Sequence, residues 1–136
     1  MLVIGHDEAV TRWVGARLRI EDFGPARAIG VMRGSEMMAG AVFHNWQPRH
    51  RSIEISFASA TPRWATREAI RGIMAYAFVQ LGCNRLTAIS EADNRSARAF
   101  MLRLGFTIEG FHPEALATGD AISFGMLRRD CKWLED

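Results

Sequence analysis

The chain has 136 residues, 49% of them apolar and 24% charged, which is the size and balance of one globular domain spanning residues 1–136. No apolar run approaches the ~18 residues that span a bilayer, and the short apolar start lacks the basic flank of a signal peptide. We therefore expect a cytoplasmic protein without membrane contact. A net charge of only +2, with dispersed arginines, argues against nucleic acid as a partner. Cys83 and Cys131 are far apart and not at ligand spacing from a histidine, which predicts two reduced thiols and no metal site.

The first half of the chain predicts one helix and then three strands, and residues 1–5 are a candidate short strand before the helix. The predicted ranges are 7–19 for the helix and 26–33, 37–46 and 52–60 for the strands. Asp7 stands where an N-cap is expected, and Gly34-Ser35 is a short-hairpin signal between the first two strands. The third strand alternates, with isoleucines on one face and Glu54 on the other.

The second half predicts alternating helices and strands. The helices are placed at 62–81 and 95–104, and the strands at 85–90, 106–111 and 121–128. Thr61-Pro62 is a typical helix start, Gly82 a typical stop, and Asn94 a typical N-cap. Residues 112–120 are expected to form a long connection. This order predicts an α/β fold, with a mixed sheet and helices on both faces.

Several residue patterns resemble those of the GNAT superfamily of N-acetyltransferases. Residues 81–86 are similar to the family's LG-x-x-R-[VL] junction, and Asn94 precedes Gly105-Phe106 and Glu109-Gly110 as in its N…LGF..EG pattern. The spacing is nearest to the branch that acetylates protein N-termini, including those of ribosomal proteins, and to short phage-type members. The resemblance covers residues 26–130. It implies a mostly antiparallel central sheet with a splay between the parallel fourth and fifth strands.

The resemblance also implies acetyl-CoA as co-substrate, a primary amine as acceptor and direct attack in a ternary complex. The family's phosphate loop contains glycines, whereas residues 61–67 contain none, so Arg63 and Arg67 are expected to supply charge to the pyrophosphate instead. Trp64 is interpreted as a core plug more readily than as a lid on the cofactor. The implied cofactor-binding residues are Phe57, Ala58, Ser59, Arg63, Trp64, Ala65, Thr66, Arg67, Asn94, Ser96 and Met101.

Two side chains are candidate catalytic bases. Glu54 lies on the strand that resembles the family's cofactor strand, and a partly desolvated carboxylate there can accept a proton from an ammonium. The competing interpretation, slightly favoured, is a solvated strand glutamate paired with a nearby arginine. His44, on the neighbouring strand, is the second candidate. Met101 aligns with the tyrosine that often protonates the leaving thiolate. Arg98, on the polar face of its helix, has two interpretations, a contact with the cofactor's phosphates and, favoured, a plain surface residue.

Three functions therefore stay open at this point. The first is an acetyltransferase, and the second is a catalytically silent domain that binds acyl-CoA, which Met101 and the missing glycines favour. The third, ranked last, is a small nucleic-acid-associated protein. The short N-terminal segment predicts an open acceptor side, covered in part by a second copy of the chain through the last strand or the tail that bears Trp133.

Overall fold

A computed structural model describes residues 1–134 of the chain. The strands are β1 (Leu2–Ile4), β2 (Ala26–Arg33), β3 (Glu36–Gln47), β4 (Ser52–Ser59), β5 (Arg85–Glu91), β6 (Thr107–Leu116) and β7 (Gly119–Leu127). The α-helices are α1 (Asp7–Leu18), α2 (Arg67–Ala75) and α3 (Arg95–Leu104). The strands form one sheet in the order β1-β2-β3-β4-β5-β7-β6. The β4–β5 pair is parallel and the other five pairs are antiparallel.

Helices cover both faces of the sheet, as the element order predicts. Helix α1 packs its buried valines, Val10 and Val14, on small residues of β2, β3 and β4. A Cβ atom at Gly40 would lie 2.6 Å from Cγ2 of Val14, so the absence of a side chain lets the helix approach the sheet closely. Helices α2 and α3 pack together on the opposite face, over the larger hydrophobic core. The mixed α/β fold class is confirmed.

The start of α1 differs from the sequence prediction. His6 occupies the N-cap position and makes no side-chain cap, while Asp7 is the first helical residue. The Asp7 carboxylate instead accepts a hydrogen bond from the backbone N–H of Ala28 at 2.9 Å and lies 3.5 Å from Arg27. Because β1 pairs with β2 only at Ile29–Val31, the Ala28 N–H lies beyond that ladder, and Asp7 satisfies it.

The prediction of a continuous helix from Pro62 to Leu81 was wrong at both ends. Thr61 caps only a 3₁₀ turn (Pro62–Trp64), and α2 begins at Arg67, where Thr66 accepts a hydrogen bond from the Ala69 N–H at 3.1 Å. After Ala75 the chain continues in a π-helical turn (Tyr76–Gln80). Gly82 then terminates the segment in a left-handed conformation, with φ of +74°, which confirms it as the stop.

The predicted long connection at 112–120 was also wrong. Strand β6 extends to Leu116 and pairs with Gly119 of β7, which leaves a tight hairpin turn. Nearly all of β6 is exposed on both faces, so its residues show no apolar alternation that could reveal a strand. Pro113 and the left-handed Glu114, with φ of +51°, interrupt this edge of the sheet, which discourages pairing with other strands.

The tail that bears Trp133 packs on its own chain. The Trp133 indole N–H donates to the Leu104 carbonyl at 2.7 Å, and the Lys132 ammonium donates to the Arg103 carbonyl at 2.9 Å. These two groups supply hydrogen-bond donors to carbonyls at the end of α3, because the last carbonyls of a helix have no N–H donor within the helix itself. Trp133, which was expected to contact a second copy of the chain, therefore contacts α3 of its own chain instead.

Candidate functional site

The central feature of the site is a fork between β4 and β5. These strands pair only where Ser52–Glu54 faces Arg85–Thr87. Beyond Glu54, β4 keeps its partner β3 as far as Ser59, and β5 keeps its partner β7 as far as Glu91. The facing edges of β4 and β5 therefore separate beyond the Glu54–Thr87 pair. The residues expected to contact a thioester through their backbone, Phe57, Ala58 and Ser59, lie on the separated part of β4.

Three aromatic rings close the inner end of this fork. Trp64 lies 5.5 Å from Phe100 and 6.0 Å from Phe57, and Phe57 meets Phe100 edge-on at 6.0 Å between ring centroids. Trp64 is 5% exposed, which supports its interpretation as a core plug. The space between Phe57, Trp64, Leu104 and the buried side chains of α2 is too small for a water molecule. A ligand in the fork would therefore rest on the rings without entering the core.

Cationic side chains stand at the start of α2, on the same side of the molecule as Trp64. Arg63 and Arg67 are exposed, and neither lies within ion-pair distance of a carboxylate among residues 1–134. The N–H groups of Arg67 and Glu68 belong to the first helical turn, where the helix offers no acceptor. A guanidinium group at a helix N-terminus interacts unfavourably with the positive end of the helix dipole. An anion bound at the same place offsets this unfavourable interaction. This segment suits a diphosphate although it contains no glycine.

The start of α3 supplies a buried donor beside the fork. Asn94 is the N-cap, because its Oδ1 accepts from the Ala97 N–H and from the Ser96 hydroxyl, both at 3.1 Å. The Nε of Arg98, four residues after the cap, is buried and has no hydrogen-bond partner in the described part of the chain. This burial does not fit the favoured interpretation of a plain surface residue, and the alternative, a contact with the phosphates of the cofactor, stays a prediction. An unsatisfied buried donor is costly, so Arg98 fits an anionic ligand such as coenzyme A.

The two candidate bases face each other across β3 and β4. His44 and Glu54 are directly opposite in the strand register, with 3.7 Å between Nε2 and Oε2. The same Nε2 lies 2.9 Å from the hydroxyl of Ser56, and the Asn45 amide donates weakly to Glu54 at 3.4 Å. The side chains of His44 and Glu54 are 12% and 23% exposed, so both are sheltered yet reachable. Glu54 belongs to the last residue pair before the fork opens.

Burial lowers the pKa of His44, and the neighbouring Glu54 carboxylate partly offsets this effect. The imidazole is consequently neutral at pH 7 and can accept a proton. Sequence reasoning missed Ser56 as its partner, although Ser56 stands two residues from Glu54 on the same face of β4. It also missed Phe23, whose ring meets the imidazole edge-on at 4.9 Å.

The face of the sheet that bears the two bases continues across β5, β7 and β6. Arg85 and Glu109 form an ion pair on this face, and the Glu109 carboxylate lies above Gly125, which has no side chain to displace it. His112 bonds the Ser123 hydroxyl at 2.9 Å on the same surface. Helix α1 packs on β2, β3 and β4 and leaves these strands uncovered.

A family model described as "Acetyltransferase (GNAT) domain" matches residues 4–107. The chain belongs to this family. Among curated proteins, it is 29% identical over 82 residues to an uncharacterized N-acetyltransferase, YoaA, from Bacillus subtilis (strain 168). That match covers 57% of this chain and 46% of the relative, so it spans about half the length of the curated protein.

Solved structures show the same GNAT fold over the chain. The spermidine N-acetyltransferase from Vibrio cholerae in complex with CoA and spermine is 14% identical, with a TM-score of 0.75 and coverage of 99% of this chain and 98% of that chain. A protein described as a probable acetyltransferase is 18% identical, with a TM-score of 0.71 and coverage of 95% and 93%. At these identities the comparison establishes the fold alone.

This GNAT chain offers no tyrosine at the fork to protonate a leaving thiolate. Its single tyrosine, Tyr76, is 7% exposed and packs against Phe43, and burial raises its pKa. Met101, at the position the family often gives to tyrosine, is buried in the core. Within residues 1–134, no cluster of three metal-binding side chains occurs, and no helix has the length and apolar character needed to span a bilayer.

Proposed function

We propose that this chain is an acyltransferase domain that moves the acetyl group of acetyl-CoA to a primary amine by direct attack in a ternary complex. One observation carries the proposal: the His44–Glu54 pair lies where β4 and β5 separate. A proton acceptor and a binding cleft thus meet at one point of the sheet. The cytoplasm is the proposed location, and the two buried thiols are consistent with a reducing compartment.

The residues that would hold acetyl-CoA lie along both arms of the fork. Arg63 and Arg67, with the first turn of α2, suit the pyrophosphate, and the N–H groups of Phe57–Ser59 suit the pantetheine arm and thioester carbonyl. Arg98 suits a further anionic or carbonyl oxygen of the ligand. The Oδ1 of Asn94 accepts the hydrogen bonds of the helix cap, so its amide N–H₂ group is the part that can donate to the pantetheine arm. Ala65, Thr66 and Ser96 lie at the same two helix starts, whereas Met101 lies in the second half of α3 and is buried in the core, away from them.

The bound co-substrate supplies a reactive thioester, so the protein must mainly position the amine and remove its proton. Glu54, or His44 through its contact with Glu54, takes a proton from the ammonium. The neutral nitrogen then forms a bond to the carbonyl carbon, the carbon–sulfur bond breaks, and the nitrogen, cationic once the new bond has formed, loses its second proton to solvent as the amide is completed. The β4 N–H groups stabilise the negative charge that develops on the carbonyl oxygen. The departing thiolate takes its proton from solvent.

A catalytically silent acyl-CoA-binding domain is the second candidate, because Met101 cannot donate a proton. A simple thiol has a pKa of about 8.5, however, and its thiolate leaves without a dedicated acid near neutral pH. The missing tyrosine therefore lowers the rate of transfer less than a missing base would. The sheltered His44–Glu54 pair has no role in a domain that only binds, and for this reason the enzyme is the preferred function.

Glu54→Gln separates the two candidates. If Glu54 accepts the proton, turnover measured as thiol release falls by about 10²–10⁴-fold, while the affinity for coenzyme A measured by calorimetry stays unchanged. Glu36→Gln is the matched control, because Glu36 is an exposed glutamate at the distant start of β3. Wild-type protein that binds acetyl-CoA tightly but acetylates neither peptides nor small amines would establish the silent domain instead.

We also propose a homodimer that covers part of the open acceptor side. The expectation that the last strand meets a second copy was wrong, because β7 lies between β5 and β6. With the tail packed on α3, the exposed side chains of β6, and not its interrupted backbone edge, are the surface that supports this proposal. Ile108 and Phe111 of β6 are 49% and 58% exposed. Light scattering at micromolar concentration tests it, and a strictly monomeric species would exclude the dimer.

A further inference from the structure

The joined end of the fork is held by residues that precede both of its strands. The parallel ladder itself is short, running from the Ser52–Arg85 pair to the Glu54–Thr87 pair. Just outside it, the Asn84 N–H donates to the Arg51 carbonyl at 2.7 Å. The two chain segments are therefore already connected one residue before β4 and β5 begin.

The side chain of Arg51 adds a second connection at the same place. Its Nε and Nη2 both donate to the Gly82 carbonyl, at 3.0 and 2.7 Å. Gly82 follows the helical segment that ends at residue 81 and lies three residues before β5. The backbone and the guanidinium of Arg51 are thus both bound to the segment that enters β5.

The local backbone permits this contact at an unfavourable conformation of Arg51. A Cβ atom at Gly82 would lie 2.8 Å from Nη2 of Arg51, so glycine leaves room for the guanidinium. Arg51 itself adopts φ of +53°, in the left-handed region that residues other than glycine rarely occupy. A side chain stays in such a conformation where the surrounding contacts favour it, and here the contacts are those to Asn84 and Gly82.

The guanidinium of Arg51 connects the two strands without an ion pair. Among residues 1–134, no carboxylate lies within ion-pair distance of it. Glu54, for which the sequence left a pairing with a nearby arginine open, lies beside His44 and Asn45 instead. A charged donor forms a stronger hydrogen bond to a carbonyl than a neutral donor does. Arg51 therefore fixes the end of the ladder while the candidate base keeps its own contacts.

We propose that Arg51 is a positioning residue for acetyl transfer, which holds the joined ends of β4 and β5 at a fixed spacing. This inference rests on the proposed function and adds a residue that acts through β4 without touching either substrate. Glu54 follows Arg51 by three residues, and the N–H groups of Phe57–Ser59 lie further along the same strand. A shift of β4 against β5 moves the base and these N–H groups together, and a misplacement of about 1 Å can cost about 10²-fold in rate.

Two substitutions of Arg51 separate this role from a role in stability alone. Arg51→Gly removes the guanidinium and suits the left-handed backbone, because glycine adopts a positive φ readily. Arg51→Asn also removes it, and asparagine tolerates the same conformation while leaving the turn less flexible than glycine does. Arg19→Gly is the matched control, since Arg19 is exposed and has φ of +59°. The Arg19 side chain forms no ion pair within residues 1–134.

The assay is thiol release from acetyl-CoA, with a short peptide and with spermidine as acceptors, well below the melting temperature of each variant. Both Arg51 variants should lower kcat by about tenfold or more and change KM for acetyl-CoA by less than about threefold, because alignment is lost while the binding groups remain. Tm should not fall in Arg51→Gly, and Arg19→Gly should leave kcat, KM and Tm unchanged. A residue that only stabilises the fold would instead lower Tm and leave kcat of the folded protein unchanged.

A kcat within about twofold of wild type in both Arg51 variants would overturn the proposal, since a misaligned fork must slow the reaction. If the wild type acetylates neither acceptor, the proposed function fails by itself, and amide hydrogen exchange then tests the connection. The ladder residues Ser52–Glu54 and Arg85–Thr87 should exchange at least about tenfold faster in Arg51→Asn than in wild type, because the ladder opens more often. Equal exchange rates would refute a role of Arg51 in holding the two strands.

Discussion

Replacing Trp64 with alanine is expected to destabilise the protein strongly, because this side chain plugs the inner end of the β4–β5 fork. Trp64 is 5% exposed and contacts two further rings, at 5.5 and 6.0 Å. Truncation of a buried tryptophan to alanine costs about 3–5 kcal/mol, since apolar area is lost and a cavity remains. Each ring contact contributes about 0.5–1.5 kcal/mol within that total.

The expected change in melting temperature follows from the chain length. An unfolding entropy of about 2.1 cal/mol/K per residue over 136 residues gives about 0.29 kcal/mol/K, so the loss corresponds to a Tm lower by about 10–17 °C. Urea denaturation followed by circular dichroism measures the free energy of unfolding, and a thermal scan measures Tm.

Trp46→Ala is the matched control, because Trp46 is 41% exposed near the end of β3. Removing it should cost no more than about 1 kcal/mol. If Trp64→Ala destabilises the protein by less than about 1 kcal/mol, or no more than the control does, the three rings do not form the plug described above.

Three more measurements probe the site and its surroundings. Arg98→Met should weaken coenzyme A binding by about tenfold or more without lowering Tm, because it removes a charged donor that lacks a partner in the apo protein; unchanged affinity would exclude Arg98 from the site. Burial raises the pKa of Cys83 to about 11, so this thiol should resist Ellman's reagent until the chain unfolds, and rapid labelling of native protein would contradict its burial. Burial favours the neutral form of His44 in the folded state, so its contribution to stability is present above pH 6.5 and is lost as pH falls through the lowered folded pKa. His44→Gln should therefore flatten the stability profile below about pH 6.5, and an unchanged slope there would show that His44 is not the group responsible.

Much of the sheet was predictable because β4 alternates between buried and part-exposed residues, and because β2 and β3 are runs buried on both faces at their centres and separated by a turn signal. The hairpin at Gly34-Ser35 connects Arg33 directly to Glu36, as its residues predict. The end of β6 escaped prediction because both of its faces are exposed, and a strand without a buried face has no periodic signal. The start of α2 was misplaced because Thr61-Pro62 and Thr66 are both good N-cap signals. Trp64 lies between these two signals and is buried by tertiary contacts. Because of this packing, the Thr61-Pro62 signal starts only a 3₁₀ turn.

The candidate site was predictable as a set of residues but not as an arrangement. Glu54 and His44 were identified separately, and their juxtaposition depends on the register of β3 and β4. Asn45 adopts φ of +54° at an irregularity of that ladder just after His44, a feature with no clear signal in the sequence. The contact of Phe23 with His44 was missed because it depends on where the irregular segment between α1 and β2 folds back. The buried Nε of Arg98 was missed for a similar reason, since it lies on a polar position of a surface helix.

The short contact between β4 and β5 has a mechanical consequence. The sheet consists of two leaves, β1–β4 and β5–β7, and only three residue pairs of parallel ladder join them edge to edge. Bending between the leaves is resisted mainly by side chains of α2 and α3 on one side. A bound molecule that forms hydrogen bonds to both leaves links them as an added strand would. Ligand binding therefore makes the whole domain more rigid and more stable. Amide hydrogen exchange in the outer half of β4 should then slow far more on ligand binding than exchange in β2.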